Sequence, residues 1–266
     1  MAKNLSVLGS QSGKVGNIVF RKTKYGTIVS QLRGSNQSWF RSSSDAVRVR
    51  ENSQEFSGLI RLSNSLKNAL RPLPVFDKGN FIPRVSRVLA PLKNLDTSGD
   101  RGKRTYGIAE NTALLRGFTV GVNSVASALP IAFSASRSGA TVTFTTPAFT
   151  PNEVIKAPVG ATHFRLFYMV ASVSSLVWSD NENGYAPSNV QADMKSGMSF
   201  SSVIALNSEA QTATTTAVSS PVAALDGAGL FAVIGIMFYQ QIGGVNYALT
   251  EGQGATILDG WDGGNE

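Results

Sequence analysis

Three segments carry residue types whose spacing bears on chemistry. Gly9-Ser-Gln-Ser-Gly13-Lys14 has the outline of a phosphate loop. A P-loop places four residues between its glycines and Ser or Thr after the lysine, at the start of a helix whose N–H groups cradle phosphate. Here three residues separate the glycines, Val15 follows Lys14, and a β-branched run comes next. Nucleotide hydrolysis is therefore not expected. Asp180-Asn-Glu-Asn-Gly184 is an acidic turn. An EF-type Ca²⁺ loop needs glycine at its sixth position and glutamate at its twelfth. This one has glycine one position early and Gln191 at the twelfth, so an Asn-Gly hairpin or loop is expected instead. His163 is the only histidine and opens the strand-like run His-Phe-Arg-Leu-Phe-Tyr. No Gly-x-Ser-x-Gly nucleophile turn accompanies it, so it reads as structural.

Cysteine is absent, which removes thiol nucleophiles, disulfides and thiolate metal sites. One histidine excludes a multi-His metal site. The carboxylates of the C-terminal half are scattered through turn-like sequence, with no acid/base pair standing out. No catalytic residue, metal or cofactor is expected, and the chain is not read as an enzyme.

Charge is the stronger signal. Only 15% of the 266 residues are charged, and the net charge is +7. Residues 1–105 hold 19 Lys and Arg against 6 Asp and Glu, a net of +13. Residues 106–266 hold 5 against 11, a net of −6. Such asymmetry points to a polyanion partner, and phosphate neutralisation by cations makes binding salt-dependent. The candidate nucleic-acid contacts are Lys14, Arg21, Lys22, Lys24, Arg33, Arg41, Arg48, Arg50, Arg61, Arg101, Lys103 and Arg104. Trp39, Phe40, Phe76, Phe81 and Tyr106 are interleaved with them and could stack on bases. The alternatives are that these aromatics anchor local structure and that the basic half meets an acidic protein.

The elements that would position these residues follow from periodicity. Residues 15–21 and 27–33 predict a hairpin around a turn at 22–26. Residues 45–71 predict the best helix, with Ser44 as N-cap and Pro72 beyond its end. Its apolar set is Phe56, Leu59, Ile60, Leu66, Ala69 and Leu70. At 100° per residue Arg50 and Arg61 fall within about 20° of each other, opposite that stripe, as a basic rib would. Residues 72–83 contain three prolines and predict a linker. A helix over 85–95 is broken by Pro91, 96–106 is a polar basic loop, and a short helix is plausible over 109–117.

From residue 118 alternating β-branched and aromatic runs predict strands at 131–136, 141–146, 163–172, 175–179, 198–206, 211–218, 230–239 and 247–250. Ser138-Gly139, Asn183-Gly184 and Gly243-Gly244 mark turns between them. The division expected is a basic hairpin and helical region over 1–117 and a β domain over 118–266. The fold class expected is mainly β (α+β), with an antiparallel sandwich or jelly-roll-like domain. The acidic, Gly-rich tail 259–266 is either loose or inserts Trp261 into a neighbour.

The run Gly9…Gly13-Lys14-Val15-Gly16-Asn17-Ile18-Val19, the helix end Leu66-Lys-Asn-Ala-Leu70, the segment Val177-Trp178-Ser-Asp-Asn-Glu-Asn-Gly184 and the apolar strands near 231–239 resemble a family of uncharacterised Bacteroidetes proteins, defined as a domain of unknown function. The resemblance covers about half the chain. It implies a hairpin and helical region before a β domain, and it brings no activity or catalytic residues.

The N-terminus lacks an apolar leader, and the longest charge-free apolar run, 227–239, is too short to span a bilayer and reads as a buried strand. A location in the cytoplasm, or in a virion assembled there, is expected. The expected function is that of a self-assembling structural protein, a phage-type coat component whose basic half contacts packaged nucleic acid. The alternative is a β-sandwich module binding carbohydrate or protein, with the basic half as a docking region.

Overall fold

Two-residue turns organise the start of the chain. The protein is described from a computed structural model, which covers residues 2–4, 12–31, 37–76 and 79–264. It comprises two units, Met1–Arg50 and Glu51–Glu266. In the first, β1 (Ala2–Asn4), β2 (Gly13–Val15), β3 (Ile18–Thr23) and β4 (Gly26–Gln31) form an antiparallel sheet in the order β1-β4-β3-β2. The single hairpin expected here is thus a meander. The strand expected over 15–21 is interrupted because Gly16 takes φ +57°, a left-handed value that cannot continue a pleat. The second turn is only Lys24-Tyr25, closed by the Thr23 hydroxyl donating to the Gly26 carbonyl at 2.8 Å. Of the described residues in β2 to β4 only Thr27 is buried. Helix α1 (Gln37–Ser42) and a 3-10 turn (Ser44–Ala46) follow. Ser43, one residue before the expected cap, accepts from the Asp45 N–H. Helix α2 (Val47–Leu70) then begins.

The second unit continues α2 and adds α3 (Phe81–Leu89), α4 (Val125–Ala128) and α5 (Pro151–Val154). Pro83 lies within the first turn of α3, where its missing N–H is harmless, so the expected linker is shorter than the proline spacing suggests. Residues 112–115 form a 3-10 turn where a short helix was expected. The strands are β5 (Ser134–Ser138), β6 (Thr141–Thr146), β7 (His163–Ser174), β8 (Leu176–Ser179), β9 (Gly184–Pro187), β10 (Lys195–Phe200), β11 (Ile204–Ala205), β12 (Thr214–Ser219), β13 (Ala228–Ile242), β14 (Val245–Ala248) and β15 (Gly254–Asp262). All the ladders are antiparallel, and the fold is mainly β with few helices. The six-stranded sheet runs β10-β7-β13-β14, with β11 on β7 and β15 on β13. A three-stranded sheet runs β12-β6-β5, and β8 and β9 form a hairpin.

Strands β7 and β13 are buried on both faces, which explains their near-continuous apolar runs. Phe167, Met169, Ala171 and Val173 of β7, with Phe231 and Val233 of β13, join a core completed by Leu62, Leu66 and Leu70 of α2 and by Phe81, Val85 and Leu89 of α3. The alternate residues, Phe164, Leu166, Tyr168 and Val170 with Leu230, Ala232, Ile234 and Ile236, join a second core with Val142, Phe144 and Val218 of the small sheet. The period of two along a strand sends successive side chains to opposite faces. The unit therefore has three layers: helices, a six-stranded sheet, and a three-stranded sheet. The expected sheet-on-sheet packing occupies one face, and helices occupy the other. The change of texture at residue 118 falls inside this unit.

Residues 259–262, expected as a loose tail, belong to β15, and Trp261 pairs with Leu230 and packs on the second core of its own chain. The glycines that make this segment look loose are there for close approach. A Cβ on Gly260 would lie 2.9 Å from Thr112 Cβ and 3.0 Å from a Phe231 ring carbon. Gly235, in the centre of β13, is the tightest such site in the sheet. A Cβ there would lie 2.0 Å from Phe167 Cζ and 2.6 Å from the Gly254 carbonyl oxygen. Gly235→Ala is expected to lower unfolding stability by about 1–3 kcal/mol, read as a lower urea midpoint at unchanged slope. Gly184→Ala, whose nearest neighbour would be 3.7 Å away, should leave the midpoint nearly unmoved.

Candidate nucleic-acid interface

The candidate basic residues fall into two environments. In the first unit the register of the meander sorts them by face. Opposed residues share a face, so Lys14, Val19, Arg21, Ile28 and Ser30 lie on one side. Val15, Ile18, Phe20, Val29 and Lys22 lie on the other. Lys14, Arg21 and Lys22 are exposed and have no ion-pair partner among the described residues. Lys24 sits in the turn with its ammonium 4.9 Å from the Tyr25 ring centre. Arg41 is exposed at the C-terminal turn of α1, and Arg48 is exposed on the first turn of α2. Arg33 lies outside the described residues, as does most of the Gly9–Gly13 run; Gly13 itself opens β2, so no helix start faces Lys14.

Arg50 does not point outward as half of a rib. It donates to the carbonyls of Phe40 and Ser43 at 2.8 and 2.9 Å. Arg61 donates to the Tyr185 carbonyl and lies 3.6 Å from a Glu182 carboxylate oxygen. The two arginines share a helix azimuth but serve different local contacts. The apolar stripe is also displaced from expectation: Phe56 is 62% exposed, while Leu62 and Glu55 are buried. Glu55 faces the core side because its carboxylate is matched there.

That match comes from the loop 96–106 and from Lys93 just before it. Gly102 N–H donates to Glu55 Oε1 at 3.1 Å, Lys93 Nζ donates to Oε2 at 2.8 Å, and Arg104 lies 3.9 Å away. Burial pushes the Glu55 carboxyl up, but the bond from Lys93, the Gly102 N–H and the charges of Lys93 and Arg104 together hold it below the ordinary range. Arg101 donates to Asn52 and lies 3.4 Å from Glu51. Lys103 donates to Asp180 at 2.7 Å, with its ammonium 5.5 Å from the Trp178 ring centre. Asp96 ties the loop together: it accepts from Thr105 N–H at 2.7 Å, from Gly99 N–H and from Ser98. The Thr105 bond is the main cause of a carboxyl held far below the usual range. The acidic turn after β8 is the hairpin loop expected, with Asn183 at φ +47°.

Glu55, Tyr106 and Tyr185 converge, which could suggest acid/base chemistry. The geometry instead describes a clamp. The Tyr106 hydroxyl donates to the Glu55 carbonyl at 2.6 Å, and the Tyr185 hydroxyl donates to Gly102. The two rings meet edge-on at 5.4 Å over Gly58, where a Cβ would come within 2.8 Å of both. Burial, then the neighbouring phenol and carboxylate, pushes Tyr106 up; burial and the Glu55 charge do the same to Tyr185. Both carboxylate oxygens of Glu55 are already bonded. Phe81 and Tyr106 are fully buried and Phe76 packs on Phe81, so the expected stacking aromatics that stay exposed are Trp39 and Phe40. His163 bonds Thr162 through Nδ1 at 2.9 Å.

Sequence reasoning missed Asp193, whose carboxylate accepts from Ser174 N–H and from the Ser65 hydroxyl and so joins β7 to α2. Its burial pushes the carboxyl up. No local pattern could have flagged it, because both partners are distant in sequence.

The signs of these shifts give a pH prediction. Lowered carboxyls at Asp96 and Glu55 contribute stability that is complete above the ordinary carboxylate range and lost as pH falls. Asp193 acts in the opposite sense, losing its contribution as pH rises through its raised value. The thermal midpoint should drop on acidification from pH 5, and Asp96→Asn should be less stable at pH 7 with a flatter acid limb. Parallel profiles for the two proteins would refute the role of Asp96. Glu55→Gln should cost about 2 kcal/mol at neutral pH.

No protein-family model, curated protein or solved structure matches this chain.

Proposed function

We propose that the chain is a structural protein that assembles with copies of itself and contacts nucleic acid without reading its sequence, as a coat component of a phage-type particle does. Residues 1–50 are its nucleic-acid-contacting part. One observation carries this reading: those fifty residues hold nine Lys and Arg against a single acid, Asp45. Lys14 and Arg21 share one face of a sheet whose described strands bury almost nothing. Phosphate contacts of this kind position a polyanion and release counterions, with no base readout required. The exposed Trp39 and Phe40 add surfaces on which bases stack.

Self-assembly has its own support. A small sheet with an uncovered apolar face is marginal alone, and Val15 and Ile18 are exposed on the face opposite Lys14 and Arg21. The hairpin of β13 and β14 turns at Gly243-Gly244, with Ile242 exposed at the end of β13 and Val245 and Tyr247 exposed on the edge strand β14. Exposed apolar edges are ready pairing sites. Among the described residues no helix is long and apolar enough to cross a membrane.

The loop 96–106 is a weaker contact than its three cations suggest, because Arg101, Lys103 and Arg104 each have a carboxylate within the chain. Anisotropy titration of labelled oligonucleotides over a range of salt separates the two sets. Replacing Lys14, Arg21, Lys22 and Lys24 by Gln should flatten the log–log salt slope by about three units. Replacing Arg101, Lys103 and Arg104 should flatten it by less than about one. Binding insensitive to salt, or equal slopes for the first variant and the parent, would overturn the assignment. Light scattering on the parent should show large assemblies that carry nucleic acid; a clean monomer at low salt would remove the coat role.

A further inference from the structure

A chamber of about 330 Å³ opens between the two sheets, where the start of β12 meets the connection from β10 to β11. Most of its lining residues carry a hydroxyl or side-chain amide, contributed by Thr, Ser, Tyr168 and Gln211, and the rest of the surface is apolar and includes Phe149. It contains no Asp, Glu, Lys, Arg or His.

The polar groups are pre-positioned. The Tyr168 hydroxyl is buried and lies 2.9 Å from the Thr146 hydroxyl, with Thr216 as a further hydrogen-bond partner. Each of these hydroxyls can donate and accept, so the group can serve a ligand hydroxyl in either sense. The Ser201 hydroxyl is committed elsewhere, accepting from Leu166 N–H and donating to the Ser202 carbonyl. The Gln211 amide nitrogen is bonded to Ser208 and Glu209, which leaves its carbonyl as the acceptor it can offer. Its backbone is tied to Phe149 by paired bonds of 2.8 and 3.1 Å, so these two lining residues are fixed to each other. A preformed concavity with apolar surface and a few convergent polar groups is the usual form of a small-molecule site.

We propose that this chamber binds a small, uncharged polyhydroxylated ligand of monosaccharide size. The absence of any charged side chain argues for neutrality, since a charged ligand would be desolvated with no counter-charge. The hydroxyl and amide groups along the lining argue against a purely apolar ligand, which would displace their water without replacing its hydrogen bonds. A chamber of this volume has room for a single sugar ring and none for a long chain. The site belongs to the β-rich unit and uses none of the cations assigned to nucleic acid, so the two readings fail independently.

The test is saturation-transfer NMR on the full chain with glucose, galactose, mannose and N-acetylglucosamine, alongside glucuronate and glucosamine as charged counterparts. At least one neutral sugar should bind, with Kd on the order of millimolar as befits so small a ligand. Thr216→Val and Tyr168→Phe, each checked for an unchanged fold by circular dichroism, should weaken it about tenfold. Thr216→Val alters a half-buried side chain and carries the test if Tyr168→Phe does not fold. The charged counterparts should not bind. Failure of all four neutral sugars, equal affinity in the variants, or equal binding of the charged sugars would overturn the proposal. Loss of nucleic-acid binding in the charge variants would leave this result unaffected.

Discussion

Strands β7 and β13 pair in register from Ala228 against Ser174 to Tyr239 against His163, and both send apolar side chains to both faces of the sheet. This two-faced pair is the constraint on which the second unit rests. An apolar face left in water forfeits about 25 cal/mol for each Å² that could have been buried. Two exposed faces therefore require two covers. The chain supplies them by different means: α2 and α3 on one side, the β5-β6-β12 sheet on the other. The cover by α2 obliges Glu55 to enter the interior, and that in turn requires Gly102 of the loop 96–106, and Lys93 just before that loop, to reach its carboxylate. A basic loop that reads as a partner site is thus explained first by the needs of the core.

The distribution of charge follows the same logic. Cations of the second unit stand near the carboxylates of Glu51, Glu55, Asp180 and Glu182. The first unit has one acid for nine bases, so its own acids cannot neutralise most of its positive charge. A field of one sign on a thin sheet is what a polyanion meets most strongly, and it is what salt screens most effectively. Where cations so outnumber acids, the physical expectation is an external partner. Where charge is paired through Glu51, Glu55 and Asp180, the expectation is rigidity.

The sandwich layer has a different character. Its inner residues are apolar, but at one edge they give way to hydroxyls around Tyr168. Every buried side-chain nitrogen or oxygen among the described residues has a hydrogen-bond partner. The polar edge is therefore compatible with a packed core, and it leaves a concave surface with no net charge beside a chain that is otherwise strongly polarised.

Much of this was legible in sequence because it depends on local periodicity. The alternation of Thr141 to Thr146 marks β6 to the residue, and the apolar runs mark β7 and β13 as buried. Composition alone excluded thiol and multi-His chemistry, and the charge asymmetry located the basic N-terminal part. What sequence could not determine is what each face meets. Gly16 and Gly260 look alike in sequence, yet one makes a turn and the other admits Phe231 and Thr112. Arg50 and Arg61 share an azimuth, yet one binds Phe40 and Ser43 while the other binds Tyr185. Partners far apart along the chain, such as Ser65 with Asp193 or Lys103 with Asp180, come together only when sheet and helix pack. Periodicity and net charge are properties of the chain itself, whereas neutralisation, burial and cavity shape arise between segments and were decided by the tertiary structure.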